Sequence, residues 1–223
     1  MRALHKRDYL LPLALLALSV VPLLGGVVRL VSLGEPATAP SARFVAAPVP
    51  VVLHIMAAAL YALLGAFQFP PAFRGRWPLW HRRAGRVLVV AGLIAAVTGV
   101  WMTLAYEIPP GMQGPLLLVG RVLVGTAMAV ALVLGWRAIV ERRVLAHEAW
   151  MVRAYALGQG AGTQVLVLGP WMVLTGQSEG FTRDVLMLVA WGINVLVGEL
   201  LIHRRRKQLP VRAPAAALSA SHA

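Results

Sequence analysis

Residues 115–139 read PLLLVGRVLVGTAMAVALVLGWRAI. A proline opens the run, Arg121 stands about two turns inside it and Arg137 stands near its far end; apart from Thr126, every other side chain is apolar or absent. A helix rises about 1.5 Å per residue, so a run of about 20 such residues crosses the hydrocarbon core of a bilayer. Working outward, five more runs bounded by charge, Pro or Gly fit the same description, at 9–33, 49–69, 83–106, 150–175 and 184–203. The expected fold is therefore all-α: a polytopic membrane protein built as a bundle of six transmembrane helices, with one domain over residues 1–205. The remaining stretch, 206–223, is basic and then rich in Ala and Pro, too poor in apolar residues to pack, and is expected to be disordered.

The composition agrees with this reading. Hydrophobic residues make up 59% of the chain, charged residues 13%, and the mean hydropathy is +0.75. A water-facing surface of a 223-residue globule could not accommodate that excess. The first run, preceded by His5, Lys6 and Arg7 and followed by Ala37-Thr38-Ala39, invites reading as a secretory signal. Its apolar part exceeds the roughly 7–15 residues of a signal core, and Pro40 would follow the cleavage point. It reads better as a retained helix, kinked at Pro12 or Pro22.

A net charge of +13 would suggest nucleic acid in a water-soluble chain, but here the basic residues are sorted by loop. Seventeen of the 21 Lys and Arg fall in the segments 2–7, 74–86, 137–153 and 204–212, all on one side of a six-span arrangement. Only Arg29, Arg43, Arg121 and Arg183 fall on the other side or in the outer parts of spans. Lys and Arg near span ends are retained in the cytoplasm, which places both termini there and the chain in the plasma (inner) membrane of a bacterium. The run Arg204-Arg205-Arg206-Lys207 stops translocation and touches anionic lipid headgroups. The lipid bilayer is thus the expected partner, nucleic acid is not, and a protein partner stays open.

No cysteine occurs, which excludes disulfides, thiolate metal sites, iron–sulfur clusters and cysteine nucleophiles. No Walker loop, dinucleotide glycine motif, GxSxG elbow or HExxH is present either, so nothing marks the chemistry of a water-soluble enzyme. Polar groups inside a bilayer are costly and mark candidate sites. In the second span His54, Tyr61, Gly65 and Gln68 fall at offsets of 0, 7, 11 and 14, within about 60° of one another on a helix. The third span opens with His81 above Gly85, Gly92 and Gly99, and the fifth follows His147 with Ala154, Gly158 and Ala161. Such cleared faces accept either a neighbouring helix or a flat macrocycle. Gly158 and Gly162 also form a small-xxx-small pair, and Glu199 with His203 adds a carboxylate and an imidazole near the same membrane face. Arg121, at a depth comparable to His54, needs a carboxylate or a ligand anion such as a propionate or a lipid phosphate.

Leu53-His54-Ile55, Tyr61, Gly65-Ala66-Phe67-Gln68-Phe69, Arg74, His81-Arg82-Arg83-Ala84-Gly85-Arg86 and His147-Glu148-Ala149-Trp150-Met151-Val152-Arg153-Ala154-Tyr155 together resemble the bacterial membrane family called domain of unknown function 2306. The resemblance runs from about residue 50 to 165. Where that family usually carries an arginine after the His147-like residue and another later in the fifth span, this chain has Glu148 and Gly162-Thr163-Gln164. The resemblance implies a multi-span membrane protein, marks His54, His81 and His147 for testing, and supplies no reaction.

Two readings of function follow. In one, His54, Tyr61, Gln68 and Arg121 line a polar intramembrane site for binding, transport or complex assembly. In the other, histidines hold haem b or a transition metal in a membrane redox protein, with His81 and His147 as the candidate ligand pair because they share a membrane depth. Imidazoles near the cytoplasmic face could also sense pH.

Overall fold

The computed structural model describes residues 5–38, 41–177 and 179–208. Among them the regular structure is helical: α1 (Lys6–Val31), α2 (Ala42–Ala46), α3 (Pro48–Gly65), α4 (Pro71–Arg76), α5 (Pro78–Ala105), α6 (Pro115–Val140), α7 (Val144–Gly158), α8 (Gly160–Thr175) and α9 (Gly180–Lys207). Short 3-10 turns, Ser32–Gly34 and Ala66–Gln68, extend α1 and α3. The tail expected over 206–223 lies outside the described residues from 209 onward, while Arg206 and Lys207 still belong to α9.

The boundaries follow local chemistry. A proline opens α3, α4, α5 and α6, where its fixed φ suits the first turn and its missing N–H deprives no acceptor. Gly176, at φ +68°, supplies the left-handed residue that closes α8. The first helix continues through both Pro12 and Pro22.

Five helical segments are long and apolar enough to cross a membrane: Asp8–Gly34, Pro48–Gln68, Pro78–Ala105, Pro115–Val140 and Gly180–Lys207. Protein covers little of them, from 11% of the apolar window in the first to 33% in the third. Val173 and Leu174 on α8 are 86% and 82% exposed. Hydrocarbon is the solvent that such a surface fits.

The expected span at 150–175 is divided. Its residues fall in α7 and α8, of 15 and 16 residues, separated by Gln159. Glycines on both sides weaken the helix there. Gly160 in addition sits against the indole of Trp191, with no room for a Cβ. The buried Gln159 side chain is held by Ser19 and Tyr155 instead of facing lipid.

The helices α5 and α6 form the centre of the bundle. One face of α5 packs on α3 and another on α6; α7 packs on α6, α9 covers α7 and α8, and α1 closes against α3 and α8. Tyr61, Leu88, Ala91, Met128, Leu132 and Tyr155 belong to the buried core at this meeting. The polar stripe of α3 and the glycine face of α5 interlock: Gln68 lies over Gly85, Tyr61 over Gly92 and His54 over Gly99. A Cβ at Gly92 would come within 2.8 Å of both Leu132 and Tyr61. The cleared surface on α5 is therefore filled by a neighbouring helix, the other occupant considered being a macrocycle. The same holds for α7, where Gly158 faces Tyr61, and for Gly162, which lies against the backbone of Leu18. Small residues here let backbones approach, the usual basis of helix association in lipid.

Candidate functional site

The bundle has two ends, named here for convenience. The upper end carries Tyr106, Gln113 and Arg183; the lower end carries Arg74, His147 and Arg205.

Toward the upper end lies a cavity of about 400 Å³, within the size range of small-molecule sites. Its polar lining includes His54 and Tyr61 on α3, Arg121 on α6, Tyr155 on α7, Gln159 between α7 and α8, Gln164 on α8, Arg183 on α9 and Arg43 on α2. The rest is largely apolar, with Met128, Met187 and Trp191 among the walls. Among the described residues no carboxylate lines it.

Arg121 donates from Nη1 to Gln113 Oε1 at 2.5 Å, and among the described residues no carboxylate comes within ion-pairing distance of it. Glu107 and Asp184 are the acidic side chains that sequence position offers; Glu107 is exposed and outside the ion pairs of the described residues, and Asp184 is only 1% exposed. Its carboxylate accepts instead from the backbone N–H groups of Gly114 and Leu117, both at 3.2 Å. It thereby caps the N-terminus of α6, where the helix dipole favours an anion. The acidic partner expected for Arg121 is thus committed to backbone.

At the end of the first span and beyond it the same end gathers more positive charge. The guanidinium carbons of Arg29 and Arg43 lie 4.2 and 4.4 Å from the centre of the Phe44 ring. Burial first, and then the neighbouring charge of Arg29, hold the Arg43 guanidinium below its ordinary pKa. Burial also pushes the Tyr106 phenol up, and its hydroxyl donates to the Ala47 carbonyl at 2.6 Å. His54 Nδ1 lies 2.9 Å from the Ala95 carbonyl and 3.1 Å from Thr98 Oγ1. A carbonyl only accepts, so Nδ1 carries the proton in that bond and Nε2 of a neutral ring is the acceptor.

The lower end is built differently. A second cavity, of about 470 Å³, runs between α1, α7 and α9, walled by Leu11, Leu15, Val152, Val197 and Leu201. Arg74, Arg205, Arg206 and Glu148 stand at its polar edge. Here carboxylates meet the cations: Glu148 Oε1 lies 3.5 Å from Arg74 and 3.4 Å from Arg205. Glu199 receives Arg153 through two bonds of 2.5 and 3.0 Å. Glu199, read above with His203, is therefore occupied by a guanidinium.

Of the six residues singled out from sequence as cofactor or ligand contacts, His54, Tyr61 and Arg121 share the upper cavity. Gln68, His81 and His147 line neither cavity. The stripe explains the separation: 14 residues of helix span about 21 Å, so one cavity cannot hold both of its ends. His147 Nδ1 is bonded to the Gly135 carbonyl at 2.9 Å, while His81 Nδ1 and Gln68 Nε2 are buried without a hydrogen-bond partner among the described residues. Among the described residues no group of three or more His, Asp or Glu side chains could hold a metal ion.

The family model described as "predicted membrane protein (DUF2306)" matches residues 51–202. The chain belongs to this family. No curated protein and no solved structure matches the chain. The DUF2306 region supplies every helix from α3 to α9 and all polar residues of the upper cavity except Arg43. Its boundaries leave out α1, which contributes Ser19 to the bond with Gln159.

Sequence reasoning did not place Arg43, Arg183, Gln164, Tyr155 or Gln159 in a site. A signal was present for the arginines. The charge sorting leaves four of them aside, and three of those four, Arg43, Arg121 and Arg183, line one cavity. Gln159 and Gln164 were detectable as amides inside an apolar run.

Proposed function

We propose that this DUF2306 protein binds an anionic amphiphile inside the bilayer, its charged group on Arg121 and its apolar part along the cavity walls. The observation that carries this reading is Arg121 in a cavity that no carboxylate lines among the described residues. A guanidinium below the membrane surface is expensive unless an anion meets it, and Asp184 is engaged elsewhere. Gln113 orients Arg121 without neutralising it. The ligand then supplies the missing charge, through the paired donors of the guanidinium.

The arrangement in the membrane belongs to the same proposal. α7 and α8 together make a sixth crossing in addition to the five long segments, their combined length being sufficient. With six crossings, the lower end and both termini face the cytoplasm of a bacterium and the upper cavity opens toward the outer leaflet of the plasma membrane. What supports this orientation is the gathering of seventeen basic residues in the loops and span ends of one side.

The test uses the purified chain in a neutral detergent, titrated with dioleoyl phosphatidylglycerol or dioleoyl phosphatidylcholine and read by native mass spectrometry. The anionic lipid is expected to bind in preference to the zwitterionic one. Arg121→Gln should weaken that binding by roughly 10- to 100-fold, the worth of a charge-assisted bond. Equal retention of both lipids, unchanged by Arg121→Gln, would refute the reading.

A further inference from the structure

We infer that the two cavities are halves of one passage through the bundle, closed in this structure by Tyr155, Gln159 and Ser19. The upper cavity lies against Arg43, Thr103, Arg121 and Arg183, and the lower against Leu11, Arg74, Glu148 and Arg205, so they occupy opposite ends of the molecule. Two residues line both: Tyr155 and Gln159. Each is about 6% exposed, so they form the wall between the two spaces.

The wall joins a core ring to a polar network: the Tyr155 ring packs against Tyr61 and Phe69, and its hydroxyl meets Gln159. Residues 155 and 159 are one helical turn apart, about 6 Å along the axis. Gln159 Nε2 donates to the Tyr155 hydroxyl at 2.8 Å, and that hydroxyl donates to the Ala62 carbonyl at 2.9 Å. Ser19 Oγ shares its one proton between the Leu15 carbonyl at 2.9 Å and Gln159 Oε1 at 3.2 Å, which links α1 to the junction of α7 and α8. These are neutral side-chain bonds, which a passing polar group or water can replace at small net cost. Close-packed apolar side chains would offer no such exchange. Gln159 also sits where the helix is interrupted, and interrupted helices within membrane proteins occur where backbone lines a cavity.

The chemistry of the two mouths fits one cargo. Arg121 stands at the upper cavity and Arg206 at the edge of the lower, beside Arg74 and Arg205, whose charges Glu148 meets, with apolar walls on both sides of the septum. An amphipathic anion finds a cationic contact at either end and hydrocarbon-like walls between. The nature of the cargo rests on the anion-binding reading above; the passage itself stands or falls on its own test.

The absence of cysteine makes that test direct. Ala58 lines the upper cavity and Ala156 the lower, and either tolerates a thiol with little change in volume. The full chain carrying Ala58→Cys or Ala156→Cys is reconstituted in sealed dioleoyl phosphatidylcholine vesicles. The membrane-impermeant anion 2-sulfonatoethyl methanethiosulfonate is then added from one side. Ala58→Cys should react from the upper side and Ala156→Cys from the lower. Adding Tyr155→Ala should make Ala58→Cys react from the lower side as well, at least tenfold above background. Gln159→Ala, which leaves the core ring of Tyr155 in place, should do so to a smaller extent and decides the matter if Tyr155→Ala fails to fold. If Ala58→Cys reacts from the upper side only in the folded Tyr155 and Gln159 variants, the passage does not exist. Anion binding is read separately, by titrating the cysteine-free chain with dioleoyl phosphatidylglycerol, so failure of anion binding and failure of the passage are separate results.

Discussion

The two ends of the bundle use arginine in opposite ways. At the lower end Glu148 meets Arg74 and Arg205, and Glu199 meets Arg153, so the charges neutralise one another and tie α4, α7 and α9 together. At the upper end the available carboxylate, Asp184, serves the backbone of α6, and Arg121 is left with the amide of Gln113. The same residue type is a fastener in one region and, in the proposed function, a ligand contact in the other. What distinguishes them is the placement of acidic side chains around them.

That contrast can be broken by reversing charge. Arg121→Glu should abolish binding of dioleoyl phosphatidylglycerol, a loss of more than about 100-fold by native mass spectrometry, because an anion would then face an anion. Arg74→Glu, made at the lower end, should leave binding at the upper cavity nearly unchanged. Equal losses from both would mean that bulk charge, not the cavity, attracts the lipid.

Next in size is the shared framework. Gly92→Leu puts a side chain where Leu132 and Tyr61 already sit, so it should destabilise the protein by about 1–3 kcal/mol, seen as a lower melting temperature in detergent. Gly25→Leu, at a glycine with open space around it, should not. Smaller again is the fastener: Glu199→Ala should cost about 1 kcal/mol of thermal stability and leave anion binding in place. The smallest effect on binding, under about twofold, is expected from His81→Ala and His147→Ala, since both residues stand outside the cavity. A large loss of anion binding in either histidine variant would erase the distinction between the ends.

Much of the fold was legible because hydropathy is a local property. Five of the six apolar runs became long helices; Pro48, Pro78 and Pro115 open three of them, and α5 begins at Pro78, ahead of the start expected at 83. The run at 150–175 became two helices because Gly158, Gln159 and Gly160 interrupt it, and a hydropathy window averages over one amide. The site was legible only in part. His54, Tyr61 and Arg121 come together, whereas Gln68 lies on the same face of the same helix but too far along its axis.

The order of residues by itself determined that this chain is apolar enough for hydrocarbon, where its apolar runs lie, and that four arginines escape the sorting of the rest. Each of these depends on neighbours in sequence. Only the tertiary structure decided that Asp184 turns to the start of α6, that Arg43, Arg121 and Arg183 border one space, and that Tyr155 and Gln159 separate it from a second. The reason is geometric: a cavity is what remains between helix faces after they pack, and residues distant in sequence decide which faces meet.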